Sequence, residues 1–124
     1  MPRKKIVIIE DEPILLKALN IELLSAEFEV MSAVDGESGL DLIREELPDI
    51  VLLDLVLPKM SGFEVLEKMK ADKKLKHIAV VILSNLGQKE EYERGLHLGA
   101  KDYFIKSNTD LGLLTKKLKD ILHC

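Results

Sequence analysis

The sequence predicts an α/β protein built on a parallel, doubly wound sheet of five strands with helices on both faces. Three observations predict it. Short apolar runs rich in β-branched residues recur at 6–9, 28–34, 50–53, 79–83 and 103–105. The stretches between them mix apolar and charged residues at helical spacing. Strict alternation of the two patterns calls for parallel strands joined by helical crossovers. The 124 residues suffice for one domain, and 47% hydrophobic with 32% charged residues describes a globular chain.

Each element carries its own signals. The first strand, Ile6-Val-Ile-Ile9, is apolar throughout, as expected of a central strand covered on both faces. Glu10-Asp11-Glu12 ends it, and Pro13 suits a first helical turn, where its missing N–H has no intrahelical partner. The second strand alternates (Phe28-Glu-Val-Met-Ser), which predicts an edge. Asp35-Gly36 opens the second helix, and Leu47-Pro48 closes it, because the residue before proline avoids the helical region.

The third strand is apolar up to Asp54. Ser61-Gly62 opens the third helix, with Glu64 in its first turn. The fourth strand ends in Ser84-Asn85. Gly95 lies within the fourth helix, where glycine costs roughly 1 kcal/mol and either suits a movable element or simply permits close packing, and Gly99 is placed as its left-handed C-cap. The fifth strand, Tyr103-Phe-Ile, ends at Lys106. Thr109 is the expected N-cap of the last helix, with Asp110 at its positive dipole end. That helix carries Leu111, Leu114, Leu118, Ile121 and Leu122 on one face and Lys116, Lys117 and Lys119 mostly on the other.

Composition removes several classes of function. The basic start, Met1-Pro-Arg-Lys-Lys, is followed by an apolar run that stops at Glu10, too early for a signal peptide. No apolar run approaches the ~18 residues of a membrane span. Net charge is −4 with scattered lysines, a poor match to direct nucleic-acid binding. The one cysteine, Cys124, allows no internal disulfide, which suits a reducing cytoplasm, and is assigned no role. His77, His97 and His123 are scattered and form no metal set.

In a parallel doubly wound sheet, sites form at the carboxyl ends of the strands, where strand order reverses. Those ends deliver Glu10 and Asp11, then Asp54, Ser84 and Lys106. An aspartate inside an apolar run costs free energy unless it is paired or hydrogen-bonded. Three crowded carboxylates raise the pKa of at least one of them unless a cation intervenes. Mg²⁺ prefers carboxylate, carbonyl and water oxygens. With Lys106 it balances the three carboxylates to zero.

This set of strand-end residues resembles the receiver domain of response regulators in two-component signalling, over residues 4–122. The resemblance implies a flavodoxin-like (βα)5 three-layer sandwich with strand order 2-1-3-4-5. It makes Asp54 the phosphoacceptor, and Glu10, Asp11, Asp54 and the backbone carbonyl of Val56 the ligands of Mg²⁺, with Mn²⁺ as a substitute. Ser84 becomes the switch hydroxyl, Lys106 the phosphate-binding lysine and Tyr103 the aromatic that rotates on activation. The implied donor is a histidine kinase or phosphotransfer protein, and the output partner is unspecified. The readout and homodimer surface would be helix four, strand five and helix five. Such a chain is a cytoplasmic signalling switch that catalyses its own phosphorylation and dephosphorylation, not a metabolic enzyme.

The chain departs from the family pattern in three places. Ser107 follows the lysine where the family has a cis proline, so a trans bond is expected. Asn85 is larger than the usual neighbour of the switch hydroxyl and is expected to hinder access to the site. Val56 and Leu86 are apolar where other members orient an attacking water, which implies a long-lived phosphoryl group. Residues 1–124 are read as a single receiver domain, with no output region after Leu122. A flavin binder is disfavoured because Glu10-Asp11-Glu12 repels a phosphate, and a haloacid-dehalogenase-type phosphatase needs an aspartate where Val56 stands. A phosphorylation-independent scaffold or dimerisation module remains the competing reading.

Overall fold

Period-2 alternation along the strands sorts the apolar side chains onto two faces of one sheet. The structure is a computed structural model that describes residues 3–124; Met1 and Pro2, at the start of the basic run, lie outside the described residues. Five strands, β1 (Lys5–Ile9), β2 (Glu29–Ala33), β3 (Ile50–Leu53), β4 (Ala79–Ser84) and β5 (Asp102–Ile105), pair in parallel in the order β2-β1-β3-β4-β5. Five helices join them: α1 (Pro13–Ser25), α2 (Gly36–Glu46), α3 (Gly62–Ala71), α4 (Lys89–His97) and α5 (Leu111–Leu122).

Ile6, Ile8, Ile50, Leu52, Val81 and Leu83 form one core with Leu19 and Leu23 of α1 and Leu114 and Leu118 of α5. Val7, Ile9, Val51, Leu53, Val80 and Ile82 form the other, with Leu40 and Ile43 of α2 and Val65, Leu66 and Met69 of α3. Burying each such side chain contributes roughly 1.5–3 kcal/mol. β1, β3 and β4 are the central strands, and β2 and β5 are the edges. In register, Ile9 lies opposite Leu53 and Leu53 opposite Ile82, so the central strands reach the carboxyl edge together.

The helix signals resolve into specific contacts. Pro13 is the first residue of α1. The Asp35 carboxylate accepts the Ser38 N–H at 2.7 Å and caps α2, while Ser61 Oγ accepts the Glu64 N–H at 3.2 Å and caps α3. Leu47 ends α2 in the left-handed region, φ 45°, and Gly99 follows α4 at φ 107°. One start shifts by a residue. Asp110, not Thr109, caps α5, accepting the Leu113 N–H at 3.1 Å. The Thr109 hydroxyl instead donates to the Ile105 carbonyl at 2.6 Å, across the 3-10 turn Lys106–Asn108. β2 is also shorter than its apolar run, since Phe28 and Val34 fall outside the ladder.

Gly62 fixes how α3 meets the end of β3. Its N–H donates to the Leu55 carbonyl at 2.9 Å, and a Cβ there would lie 2.1 Å from the Asp54 carbonyl oxygen. The obstructing atom is backbone, so it cannot turn aside. Gly62→Ala is expected to cost at least ~2 kcal/mol in urea unfolding. Ser61→Ala, which removes only the cap, should cost about 1 kcal/mol. Equal and small losses for both would show that the close approach is not required.

Candidate functional site

The chain leaves β1 toward β2 on one side and later returns through β3 on the other. The crevice therefore opens at the carboxyl ends of β1 and β3. Glu10 directly follows β1, Asp54 follows β3, Ser84 is the last residue of β4, and Lys106 follows β5. All four are buried or nearly so: the side chains of Glu10 and Asp54 are 2% and 4% exposed, that of Lys106 is 8%, and Ser84 is fully buried.

Lys106 Nζ is the centre of the site. It donates to Asp54 Oδ2 at 2.8 Å, to Glu12 Oε2 at 2.9 Å and to Glu10 Oε2 at 3.0 Å. All three ammonium donors are thus used. Burial opposes the lysine's charge, but hydrogen bonds to Asp54, Glu12 and Glu10 outweigh it and raise its pKa above the ordinary value. Glu10 goes the other way. Burial pushes its carboxyl up, against the pull of the Glu12 N–H and Lys106 and with a contribution from the Asp54 charge. The expected upward shift is thus present, but desolvation, not like-charge crowding, is its main cause.

Glu10, Asp11 and Asp54 offer carboxylate oxygens that all lie within 4.8 Å of one another. An all-oxygen donor set, with two members buried and one exposed, fits a hard divalent cation that keeps several waters. Asp54 Oδ1 also accepts the Val56 N–H at 3.3 Å, which fixes the carboxylate from the loop side. An open cavity of about 330 Å³ lies over these groups, lined by Asp11, Glu12, Asp54, Val56, Ser84, Asn85, Leu86 and Lys106. Asn85 stands on its wall.

Ser84 and Tyr103 meet at one residue. Ser84 Oγ accepts the Leu86 N–H at 3.4 Å, and the Tyr103 hydroxyl donates to the Leu86 carbonyl. Tyr103 is buried and turned in beneath α4, with the Tyr92 ring at 5.4 Å. Gly95 makes room for it, since a Cβ there would lie 2.6 Å from Ile82 Cδ1 and 3.3 Å from the Tyr103 ring. Close packing therefore explains this glycine directly. The Lys106–Ser107 bond is trans.

Glu12 is the residue that sequence reasoning missed. It ends the acidic run after the first strand, yet the charge balance of Glu10, Asp11 and Asp54 does not include it. Its identity gave no signal of the contact, which depends on where β5 delivers Lys106. Tyr92 and the backbone of Leu86 were also missed, for the same reason.

Fold and site together define a class: a doubly wound α/β domain whose carboxyl edge gathers acidic side chains, a buried hydroxyl and a buried ammonium under one cavity. The family profile of the response regulator receiver domain matches residues 6–119, and the chain belongs to that family. It is 40% identical over 106 residues to the DNA-binding dual master transcriptional regulator RpaA of a Synechocystis strain, covering 86% of this chain and 43% of that protein. The chain thus spans less than half the length of this curated relative.

Two solved structures align closely. The CheY-like response regulator receiver domain protein of Methanospirillum hungatei superposes with a TM-score of 0.91 at 27% identity, covering 98% of this chain and 95% of that one. The phosphorylated cyanobacterial phytochrome response regulator RcpA does so with a TM-score of 0.82 at 32% identity, covering 97% and 91%. The chain is a receiver domain of the two-component response regulators, a family of signalling switches whose members work with histidine kinases and output domains. Among the described residues, no helix is long and apolar enough to cross a membrane.

Burial, with help from the Glu91 and Asp54 charges, pushes the Tyr103 phenol up to about 12. A group whose folded pKa lies above its unfolded value stabilises fully below the unfolded value, about 10 for tyrosine. That contribution is lost as pH rises toward 12. Wild type should therefore lose more stability than Tyr103→Phe between pH 10 and 12 in urea unfolding. Parallel losses in the two proteins would place the phenol in an unperturbed environment.

Proposed function

We propose that Asp54 accepts a phosphoryl group from a phosphohistidine on a kinase or phosphotransfer protein, with Mg²⁺ held by Glu10, Asp11, Asp54 and the backbone carbonyl of Val56. The observation that carries this reading is the burial of Asp54 on Lys106 at the floor of an open cavity shared with Ser84. A carboxylate is a competent nucleophile for an aspartyl phosphate. One Asp54 oxygen bonds to phosphorus while the P–N bond of the donor breaks, leaving its electron pair on the imidazole nitrogen. Lys106 stays on the site and donates to the phosphoryl oxygens. When bound, Mg²⁺ neutralises charge that develops on the transferring group. The existence of a phosphorylated relative of the same fold supports the assignment.

Phosphorylation takes Asp54 from about −1 to about −2. Its new oxygens attract the Ser84 hydroxyl, and a hydrogen bond to a charged group is worth roughly 1.5–3 kcal/mol. Made in one state only, that bond shifts a two-state equilibrium roughly 10- to 150-fold. Ser84 moving toward the phosphoryl group releases the Leu86 N–H. The Leu86 carbonyl holds Tyr103, so the change passes to the loop before α4. The face formed by α4, β5 and α5 then carries the signal to an output partner or a second copy. Residues 1–124 act in this reading as one cytoplasmic receiver unit and as a switch that turns over only its own phosphoryl group. Val56 and Leu86 line the cavity with apolar side chains and leave an attacking water unoriented, so the phosphoryl group is long-lived.

With Mg²⁺ and acetyl phosphate, intact-mass measurement should find one added phosphoryl group on wild type and none on Asp54→Asn. Chelating the metal should abolish the gain. After donor removal the added mass should persist well beyond seconds. No gain on wild type would favour the phosphorylation-independent scaffold, and loss within seconds would contradict the long lifetime.

A further inference from the structure

Glu12 sits at the N-cap position of α1, yet its side chain makes no capping hydrogen bond. It reaches instead across the edge of the sheet, 94 residues along the chain, to Lys106. It is the exposed member of the three carboxylates on that ammonium: its side chain is 53% exposed, against 2% for Glu10 and 4% for Asp54. It also lines the cavity above Asp54. It does not belong to the carboxylate trio that can share a cation.

These facts separate the three partners of Lys106. Glu10 is enclosed, and losing its ammonium would strand a buried charge. Asp54 is the group to be modified. Glu12 alone can swing into water and be solvated there. Lys106 has no fourth donor, so an entering oxyanion gains a lysine hydrogen bond only when one existing acceptor leaves.

We infer that Glu12 is a displaceable stand-in for the phosphoryl oxyanion: it holds Lys106 in the resting site and repels highly charged phosphodonors until one takes its place. Glu12 is a positioning residue that acts through Lys106 and sets selectivity among donors by their charge. The inference rests on the reading of Asp54 as phosphoacceptor. The chemistry at Asp54 is unchanged by it. With acetyl phosphate the bond to the acetate oxygen breaks and acetate leaves with the electron pair. With phosphoramidate the P–N bond breaks and ammonia leaves.

The test compares wild type with Glu12→Gln at saturating Mg²⁺, using acetyl phosphate as a dianionic donor and phosphoramidate as a monoanionic one. Removing one exposed charge near the entering group should speed the acetyl phosphate reaction roughly 3- to 10-fold, and the phosphoramidate reaction less. High salt should shrink the difference between the two proteins, because the charge is exposed and therefore screened. Mg²⁺ affinity measured without donor should fall by no more than about 3- to 10-fold, the same Coulomb effect with opposite sign, and saturating Mg²⁺ removes it from the comparison. A mere loss of structure would slow both donors alike and would not respond to salt. Equal rates in the two proteins, equal acceleration of both donors, or slower reaction of Glu12→Gln would overturn the role of Glu12. If wild type takes a phosphoryl group from neither donor, the phosphoacceptor reading fails first and this inference fails with it.

Discussion

The site depends on one ammonium group. Lys106 is buried between two buried carboxylates, Glu10 and Asp54, and no other cation approaches them within salt-bridge distance among the described residues. Taking a charge out of water costs several kcal/mol, and breaking such a pair strands the remaining charge. The hydrogen-bonded contacts to three carboxylates keep the lysine charged despite its burial. They also leave the site anionic, because Glu12 adds a fourth carboxylate to Glu10, Asp11 and Asp54. A divalent cation held there would, with Lys106, offset three of these four charges.

The fold exists around that meeting point. Strand order places β1 and β3 side by side at the switch point, so Glu10, Asp11 and Asp54 arrive from adjacent strands. β4 and β5 then place Ser84 and Lys106 on the same edge. Gly62 lets α3 start against the Asp54 carbonyl, which fixes the acceptor's backbone from behind. The central strands are covered on both faces, and the loop holding Leu86 has one hydrogen bond to Ser84, one to Tyr103 and its apolar side chain packed on the core. That loop therefore links the hydroxyl at the site to the aromatic ring beneath α4.

Most of the frame was legible in the sequence because periodicity and helix-end chemistry are local. The apolar runs, the Asp35 and Ser61 caps and Pro13 all report on their immediate neighbours, and they stand where expected. Glu10, Asp11, Asp54, Ser84 and Lys106 were legible as neighbours because each lies at or just past a strand end, and parallel topology sends strand ends to one edge. What stayed hidden was set by tertiary contact. Glu12 pairs with a residue 94 positions away, and Thr109 gives its hydroxyl to Ile105 instead of capping a helix. Gly95, read either as a sign of a labile helix or as a close-packing glycine, sits where a Cβ would meet Ile82 and Tyr103, partners that only the fold names. No local pattern encodes any of the three.

The most direct test of the central ion pair is a double-mutant cycle of Lys106→Met and Asp54→Asn, measured by urea unfolding without divalent cations. Lys106→Met alone should cost about 3–5 kcal/mol, because it strands buried carboxylates. Adding Asp54→Asn should recover part of that loss, with a coupling of about 1–3 kcal/mol. Additive effects, or a Lys106→Met protein as stable as wild type, would show that the ammonium does not hold the site together.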